Sequence, residues 1–404
     1  SPISASSQLR LWSQDNFGDD LISCIRGGGI FLWDESAGAT QRAVAFSDLS
    51  GASNPPIIAL QIMMSDVDKH IICFGANTIG ASTADPLLVR WSDKESSIDW
   101  TPTSTNQAGG VQLSQGSTII GALRTRQEIL IWTDVGIVSM RFVGEPFIFS
   151  FSEVAQGPSL IAPNAAVNAN NRVYFMDRGG FYSYSGNAQR LACTVLDHIY
   201  SDINLSQQFK IFGTSNENNN EVIWFYPSAN SLEIDKYVIY NYLENTWSIG
   251  TTSDGFTRTA WIEAPSLDFP IAAAKTSGSN TNYLYNQEVG HSNDGAAFTA
   301  YIESSDFDLA PDGERFTFIS KLIPDIEFRD QQSTSDSVTF TIKGRDYPLQ
   351  DLSTLQTINV TPASTFENTR ARTRQAAMRI SNSSSDYGWR LGDLRLEIRP
   401  DGKR

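Results

Sequence analysis

Acidic residues crowd two short stretches, and their spacing is a first test of chemistry. Asp15, Asn16, Asp19 and Asp20 fall in "QDNFGDD", and Asp306, Asp308 and Asp312 in "SSDFDLAPDGE". Oxygen-rich clusters can hold calcium, but neither stretch has the calcium-loop spacing with its closing glutamate, and acids between strands ordinarily form turns. The triple glycine Gly27, Gly28, Gly29 precedes the apolar "IFLW" instead of opening a helix, so it lacks the backbone amides of a phosphate cradle and reads as a turn. His70, His198 and His291 stand far apart, with no HExxH or HxH spacing to ligate a metal. There is no GxSxG nucleophile elbow. No catalytic residue, metal ligand or cofactor site is assigned, and the chain is read as not an enzyme. One charged motif stands out: "TRARTRQAAMR" places Arg370, Arg372 and Arg374 on one side of an extended strand, a basic comb suited to solvent, to an acidic partner surface or to nucleic acid. Because Ala376, Met378 and Ile380 after it are apolar, the comb is expected to precede the buried strand or kink away from it.

The background to that comb is acidic. The 404 residues carry 45 Asp and Glu against 30 Lys and Arg, a formal net charge of −15. Such a surface repels nucleic acid and anionic lipid at long range, so tight phosphate binding is not expected, although DNA could pass an acidic wall without sticking. Cys24, Cys73 and Cys193 are odd in number and widely spaced, which excludes a disulfide framework and leaves three small buried apolar residues. No apolar run approaches the ~20 residues of a membrane span, and the start "SPISASSQLRLW" has no signal-peptide pattern. The sequence begins without Met and is read as part of a longer protein.

Strands must position these groups. Short apolar and aromatic runs recur between Gly, Asn, Asp and Ser clusters: "GGGIFLWDESAG", "PLLVRWSDKES", "EILIWTDVGIVSMRFVG", "NRVYFMDRGGFYSYSG", "EVIWFYPSAN" and "KYVIYNYLENTWSIG". Several end on an aromatic followed by an acid or amide (Trp33-Asp34, Trp91 with Asp93, Trp132 with Asp134, Tyr240-Asn241, Tyr285-Asn286), at gaps mostly near 40–60 residues, about one four-stranded propeller blade. The expectation is an all-β chain: a β-propeller of five or six blades over residues 1–290, then a C-terminal β-sandwich-like domain over 291–404. Large aromatics would fill the wedges between blades, and the acids would hydrogen-bond within turns. "YVIYNYLENTWSIG" reads as one hairpin turning at Leu243-Glu244-Asn245. Only Ala192 to Leu205 has helical spacing. In "WRLGDLRLEI", Trp389 and Leu391 share one parity and Leu394, Leu396 and Ile398 the other, which predicts a bulge at Gly392-Asp393.

Taken together, "LWSQDNFGDDLISCIRGGGIFLWD", "VRWSDKESSIDWTPTSTNQAGG", "STIIGALRTRQEILIWTD", "NEVIWFYPS", "YVIYNYLENTW", "LYNQEVG", "AYIESSDFDL" and "WRLGDLRLEIRPDGKR" resemble, in order along the chain, the tail nozzle or hub (tail tubular, DNA-stabilisation) proteins of short-tailed bacteriophages. The resemblance implies a structural protein of the virion tail. Such proteins form a homohexameric ring below the portal and adaptor, carry a β-propeller, continue and close the DNA ejection channel without sequence-specific binding, and mount tail fibres or spikes. It brings no catalytic residues or cofactor, and upstream residues are expected to complete the first blade. Within it Arg370, Arg372 and Arg374 are an interface. The alternative is a glycan-binding or glycan-cleaving propeller at the virion tip: "WSDKESSIDWTPT" resembles the Asp-box turn of such propellers but lacks its glycine, and no arginine triad accompanies it. A peptide-binding propeller unrelated to phage is the third reading.

Overall fold

The computed structural model describes residues 9–252, 256–264, 266–276, 282–310 and 313–402. It is nearly all β and divides into two compact units, residues 1–287 and 288–404.

The first unit is a series of small antiparallel sheets, each made from consecutive strands. Five have four strands and the sixth has three among the described residues. Their first strands are Trp12–Phe17, Gln61–Met64, Ile119–Arg124, Ala166–Ala169, Phe212–Asn216 and Phe256–Ile262. Successive first strands adjoin one another, the second and third through Gln61 and Ala122, which makes the arrangement propeller-like. A strand at a sheet edge leaves backbone groups to be satisfied, and here side chains from the neighbouring sheet do so. Ser13 Oγ and Asp15 Oδ2 accept from the amides of Ile62 and Met64, both at 2.9 Å. The Gln61 side chain closes both ways on Ala122, donating to its carbonyl at 2.7 Å and accepting from its amide at 2.8 Å. Further along, the Gly213 amide donates to the Asn164 carbonyl at 2.8 Å.

The near-continuous apolar runs have a simple cause. A strand buried on both faces needs apolar residues at every position, and its period of two sends alternate residues to opposite sides. In Ile71–Phe74, Ile71 and Cys73 join the cluster shared with the first sheet, while Ile72 and Phe74 join the one shared with the third. In the third sheet Ile129 and Ile131 face back, and Leu130 and Trp132 face forward. Val173 and Phe175 separate from Tyr174 and Met176 in the same way, as do Ile223 and Phe225 from Val222, Trp224 and Tyr226. One apolar cluster thus fills each gap between successive sheets.

Four of the five aromatic-acid or aromatic-amide pairs hold turns or loops as expected, while Asn286 pairs with Ile271 within the sheet. Asp34 Oδ1 accepts from the Ser36 amide at 2.9 Å and Asp134 Oδ1 from the Ser117 amide at 2.7 Å. Asp93 Oδ1 accepts from the Gln107 amide at 2.8 Å, beside the Trp91 indole, which donates to the Gln107 carbonyl at 2.9 Å. Asn241 Oδ1 accepts from the amides of Leu243 and Glu244, closing the hairpin between Lys236–Asn241 and Thr246–Thr251. The expected helix is shorter than its periodicity: only Leu196–Asp202 is helical. Ile203 is extended and forms an isolated β-bridge to Ser228, so that bridge wins over helix continuation there.

In the second unit Ala300–Glu303, Gln375–Asn382, Val338–Arg345 and Ser353–Val360 form one sheet in that order, with Phe307–Asp308 also on Gln375–Asn382. Glu367–Thr373, Thr317–Ile323 and Arg395–Pro400 form a second, and Ile326–Arg329 pairs with Gly388–Leu391. Val338, Phe340, Ile342, Met378 and Ile380 from the first meet Ile319, Leu322 and Ala371 from the second in a single core. The predicted bulge at Gly392-Asp393 is instead a strand break. Gly388–Leu391 and Arg395–Pro400 lie in different sheets, and the amides of Gly392 and Asp393 donate to the Asp325 carbonyl and Oδ2, where the opposing chain breaks too. Both parities still reach the core through Trp389, Leu391, Leu394 and Leu396, whereas Ile398 is exposed.

Candidate interaction face of the second unit

The arginine comb begins on Glu367–Thr373, where Thr369, Ala371 and Thr373 are buried and Arg370 and Arg372 point outward. The comb is not continuous. The strand ends at Thr373, whose hydroxyl bonds to the carbonyls of Arg345 and Gln375 at 2.9 and 2.8 Å, and Arg374 sits at the corner where the chain passes into the other sheet. Its guanidinium lies 4.7 Å from the Phe316 ring and 5.2 Å from the Tyr347 ring. Arg372 lies 3.8 Å over Phe316 and pairs with Asp401 at 2.5 Å. Phe316 is fixed by two backbone bonds to Asp401 and Gly402. Of the three comb residues, Arg370 is the exposed one that makes no ion pair among the described residues.

Register adds what the sequence did not show. Phe318 lies opposite both Arg372 and Arg399, so a row Arg372, Phe318, Arg399 crosses the three strands. One step along, Lys321 lies opposite Asn368 and Glu397. Arg399 and Lys321 share the Glu397 carboxylate, at 2.7 and 3.4 Å, and hold it below the usual carboxylate range. The face is therefore cationic and partly self-paired, able to meet acidic side chains through guanidinium forks. Arg399 lies 27 residues beyond Arg372, and no local spacing announces it.

The other candidates resolve into structure. Asp15 is spent on the Met64 amide and on Arg124 at 2.8 Å, while Asp20 accepts from the Glu35 amide. Asp306 pairs with Arg345, Asp308 accepts from Gln375, and Asp312 lies outside the described residues. Among the described residues no three His, Cys, Asp or Glu side chains are grouped to hold a metal ion. Gly27 to Gly29 form the turn between two strands of the first sheet, with Gly27 at φ 69°. Cys24 and Cys73 are fully buried, and Cys193 is only half-buried. His70 is buried, His198 is exposed on the helix, and His291 Nε2 meets Asp330 at 2.9 Å.

One cluster went unseen in the sequence because its members lie 56 residues apart. Glu128 Oε2 accepts from Ser139 Oγ and from Arg141 Nε and an Nη at 3.0 and 2.9 Å, and its Oε1 accepts from the Tyr184 hydroxyl at 2.9 Å. Burial alone would raise the Glu128 pKa. The three hydrogen-bonding partners and the Arg141 charge outweigh it and hold the carboxyl below its ordinary value. Tyr184 moves the other way, pushed up to about 12 by burial and then by the carboxylate. A phenol so poised is a donor and not a nucleophile, and the group clasps the third sheet to the fourth.

No known protein-family profile matches the sequence. No curated protein matches it. Among solved structures, it is similar to an apocarotenoid oxygenase variant from Synechocystis (10% identity, 65% of this chain and 64% of that one, TM-score 0.37) and to a lignostilbene dioxygenase from Pseudomonas brassicacearum (6% identity, 70% of each chain, TM-score 0.37). It is also similar to an exo-β-1,3-galactanase from Phanerochaete chrysosporium with galactose (9% identity, 96% of this chain and 95% of that one, TM-score 0.25). The match thus spans less than two thirds of the apocarotenoid oxygenase. These proteins are enzymes, and that finding corrects the expectation that the chain is not one: absence of catalysis is not a property assigned to it. Likeness this distant carries no reaction or substrate over to this chain.

Proposed function

We propose that this chain is a subunit of the ring-shaped tail nozzle or hub of a short-tailed bacteriophage. The observation that carries the reading is the resemblance of eight stretches, in order, from Leu11 in the first unit to Arg404 at the end of the second. On this reading the six sheets of the first unit are six blades, and the second unit is a β-sandwich-like domain. Six subunits surround the DNA ejection channel below the portal and adaptor, in the virion tail, and the assembly mounts fibres or spikes. Charge fits the task. Residues 1–287 hold 27 acids against 16 Lys and Arg, so a lumen built from them would let DNA slide without phosphate contacts. The second unit holds 18 against 14, and its cationic face around Arg370 is the surface offered to acidic partners in the ring.

Native mass spectrometry of the purified chain, alone and with the adaptor ring of the same phage, tests the reading. A hexamer, or a ring that forms only on the adaptor, is expected. A stable monomer indifferent to the adaptor overturns it.

A further inference from the structure

A cleft of about 370 Å³ opens in the second unit, sharing no lining residue with the arginine face and assigned to nothing above. Its walls are aromatic. Phe298 and Tyr301 are 47% and 54% exposed, large rings held in water at the edge of a sheet, and Trp389 lines the cleft with them. The Tyr301 ring is set in place from one side: the Arg379 guanidinium lies 3.9 Å over it and is itself held by Glu303 at 2.9 Å. The floor is equally fixed. The Tyr387 hydroxyl donates to the Ser337 carbonyl at 2.7 Å and accepts from the Ser337 amide and from Asn382 Nδ2. Asn382 Oδ1 in turn accepts from the Ser384 amide. Gly388 leaves room for the His291 ring, since a Cβ there would meet it at 2.8 Å.

Against these rigid walls stand a few unspent polar groups. Ser384 Oγ accepts from the Asp386 amide at 3.1 Å, and its proton has no acceptor among the described residues. The Trp389 indole N–H and His291 Nδ1 likewise have no protein partner among the described residues, while His291 Nε2 is taken by Asp330. No Lys, Arg, Asp or Glu lines the cleft. A ligand that fits must offer apolar C–H faces to flat rings and hydroxyls to scattered donors and acceptors, and must carry no charge to neutralise. We infer that this cleft binds a neutral hexose oligosaccharide. The inference goes beyond the nozzle reading and does not depend on it.

Isothermal titration calorimetry of the 404-residue chain tests it, with tetrasaccharides of glucose, mannose and galactose as probes and tetragalacturonic acid as the charged control. Binding of at least one neutral probe is expected, weakened about tenfold by Tyr301→Ala through loss of ring stacking and measurably by Ser384→Ala, with circular dichroism of both variants unchanged. The acidic probe should not bind. No binding of a neutral probe at millimolar concentration, tighter binding of the uronate, or equal binding by wild type and both variants overturns the site. Ring assembly, read by mass, is unaffected by either outcome.

Discussion

In the first unit rings pack against rings: Phe181 lies 4.9 Å from Trp224 and 4.8 Å from Trp247, and Trp91 lies 5.2 Å from Phe149. The second unit instead sets cations over rings, with Arg372 and Arg374 on Phe316, Arg379 on Tyr301 and Lys321 on Phe366. The difference follows from geometry. Sheets that follow one another around a series leave a wedge between them, which large side chains must fill to native density. Two sheets face to face in the second unit are filled at their centre by aliphatic side chains, Met378 and one Phe, and the aromatic surface left over is partly covered by arginine. Interior packing should therefore govern stability in the first unit, and polar surface contacts should govern binding in the second.

Trp224 is the sharpest place to break that comparison. It is fully buried and donates to the Ala165 carbonyl at 3.0 Å, so Trp224→Ala should cost about 3–5 kcal/mol. Hydrogen exchange should show the loss in residues 1–287, and equal loss of protection in both units would contradict the assignment. Glu128→Ala should cost about 2 kcal/mol in a urea titration, because Ser139, Tyr184 and Arg141 lose a common acceptor. The pH dependence has a definite sign. The folded pKa of Glu128 is lowered, so its contribution is present above the ordinary value of 4.5 and is lost as pH falls through the folded value. The variant should show a shallower acid dependence.

His70 tests the same packing from another side. Burial, against the rings of Phe142 and Phe149, lowers its pKa from 6.5, although the Ser92 carbonyl, Asp68 and Asp93 oppose the shift. The neutral ring is thus the folded form. Stability is full above pH 6.5 and falls below it as the unfolded chain takes up a proton that the buried ring resists. His70→Phe should remove that slope from urea midpoints measured across the range. In the second unit Arg372→Ala should cost only about 0.5–1 kcal/mol, since its partner Asp401 is half exposed and the stacking on Phe316 is at the surface. Smallest of all, Arg370→Glu should change stability by less than about 0.5 kcal/mol. If the cationic face is an interface, that same reversal should weaken ring assembly or adaptor docking in native mass spectra, and unchanged assembly would remove it from consideration.

Much of the architecture was legible because it rests on short-range chemistry. The runs "ILIWT", "RVYFMD" and "EVIWFY" are strands because apolar residues at consecutive positions suit a strand buried on both faces, and the acids after Trp33, Trp91 and Trp132 mark turns because their side chains bond to amides close by in the fold. The break at Gly392-Asp393 was misread because a bulge and a change of sheet leave the same mark, a shift of apolar parity. The kink expected between the comb and the buried strand falls within the comb itself. Alternation places Arg370, Arg372 and Arg374 on one side only while the strand continues, and Thr373 ends it.

The sequence by itself determined the all-β character, the strand runs and hairpin turns, and the acidic balance, since composition, period and turn chemistry act over a few residues. Only the tertiary structure decided which side chains meet: Glu128 with Tyr184, Gln61 with Ala122, Arg372 with Phe316 and Asp401, and Tyr301 with Trp389 around one cleft. Those pairings join residues 29 to 88 positions apart, and their distances are set by strand register and sheet packing, which no local pattern encodes.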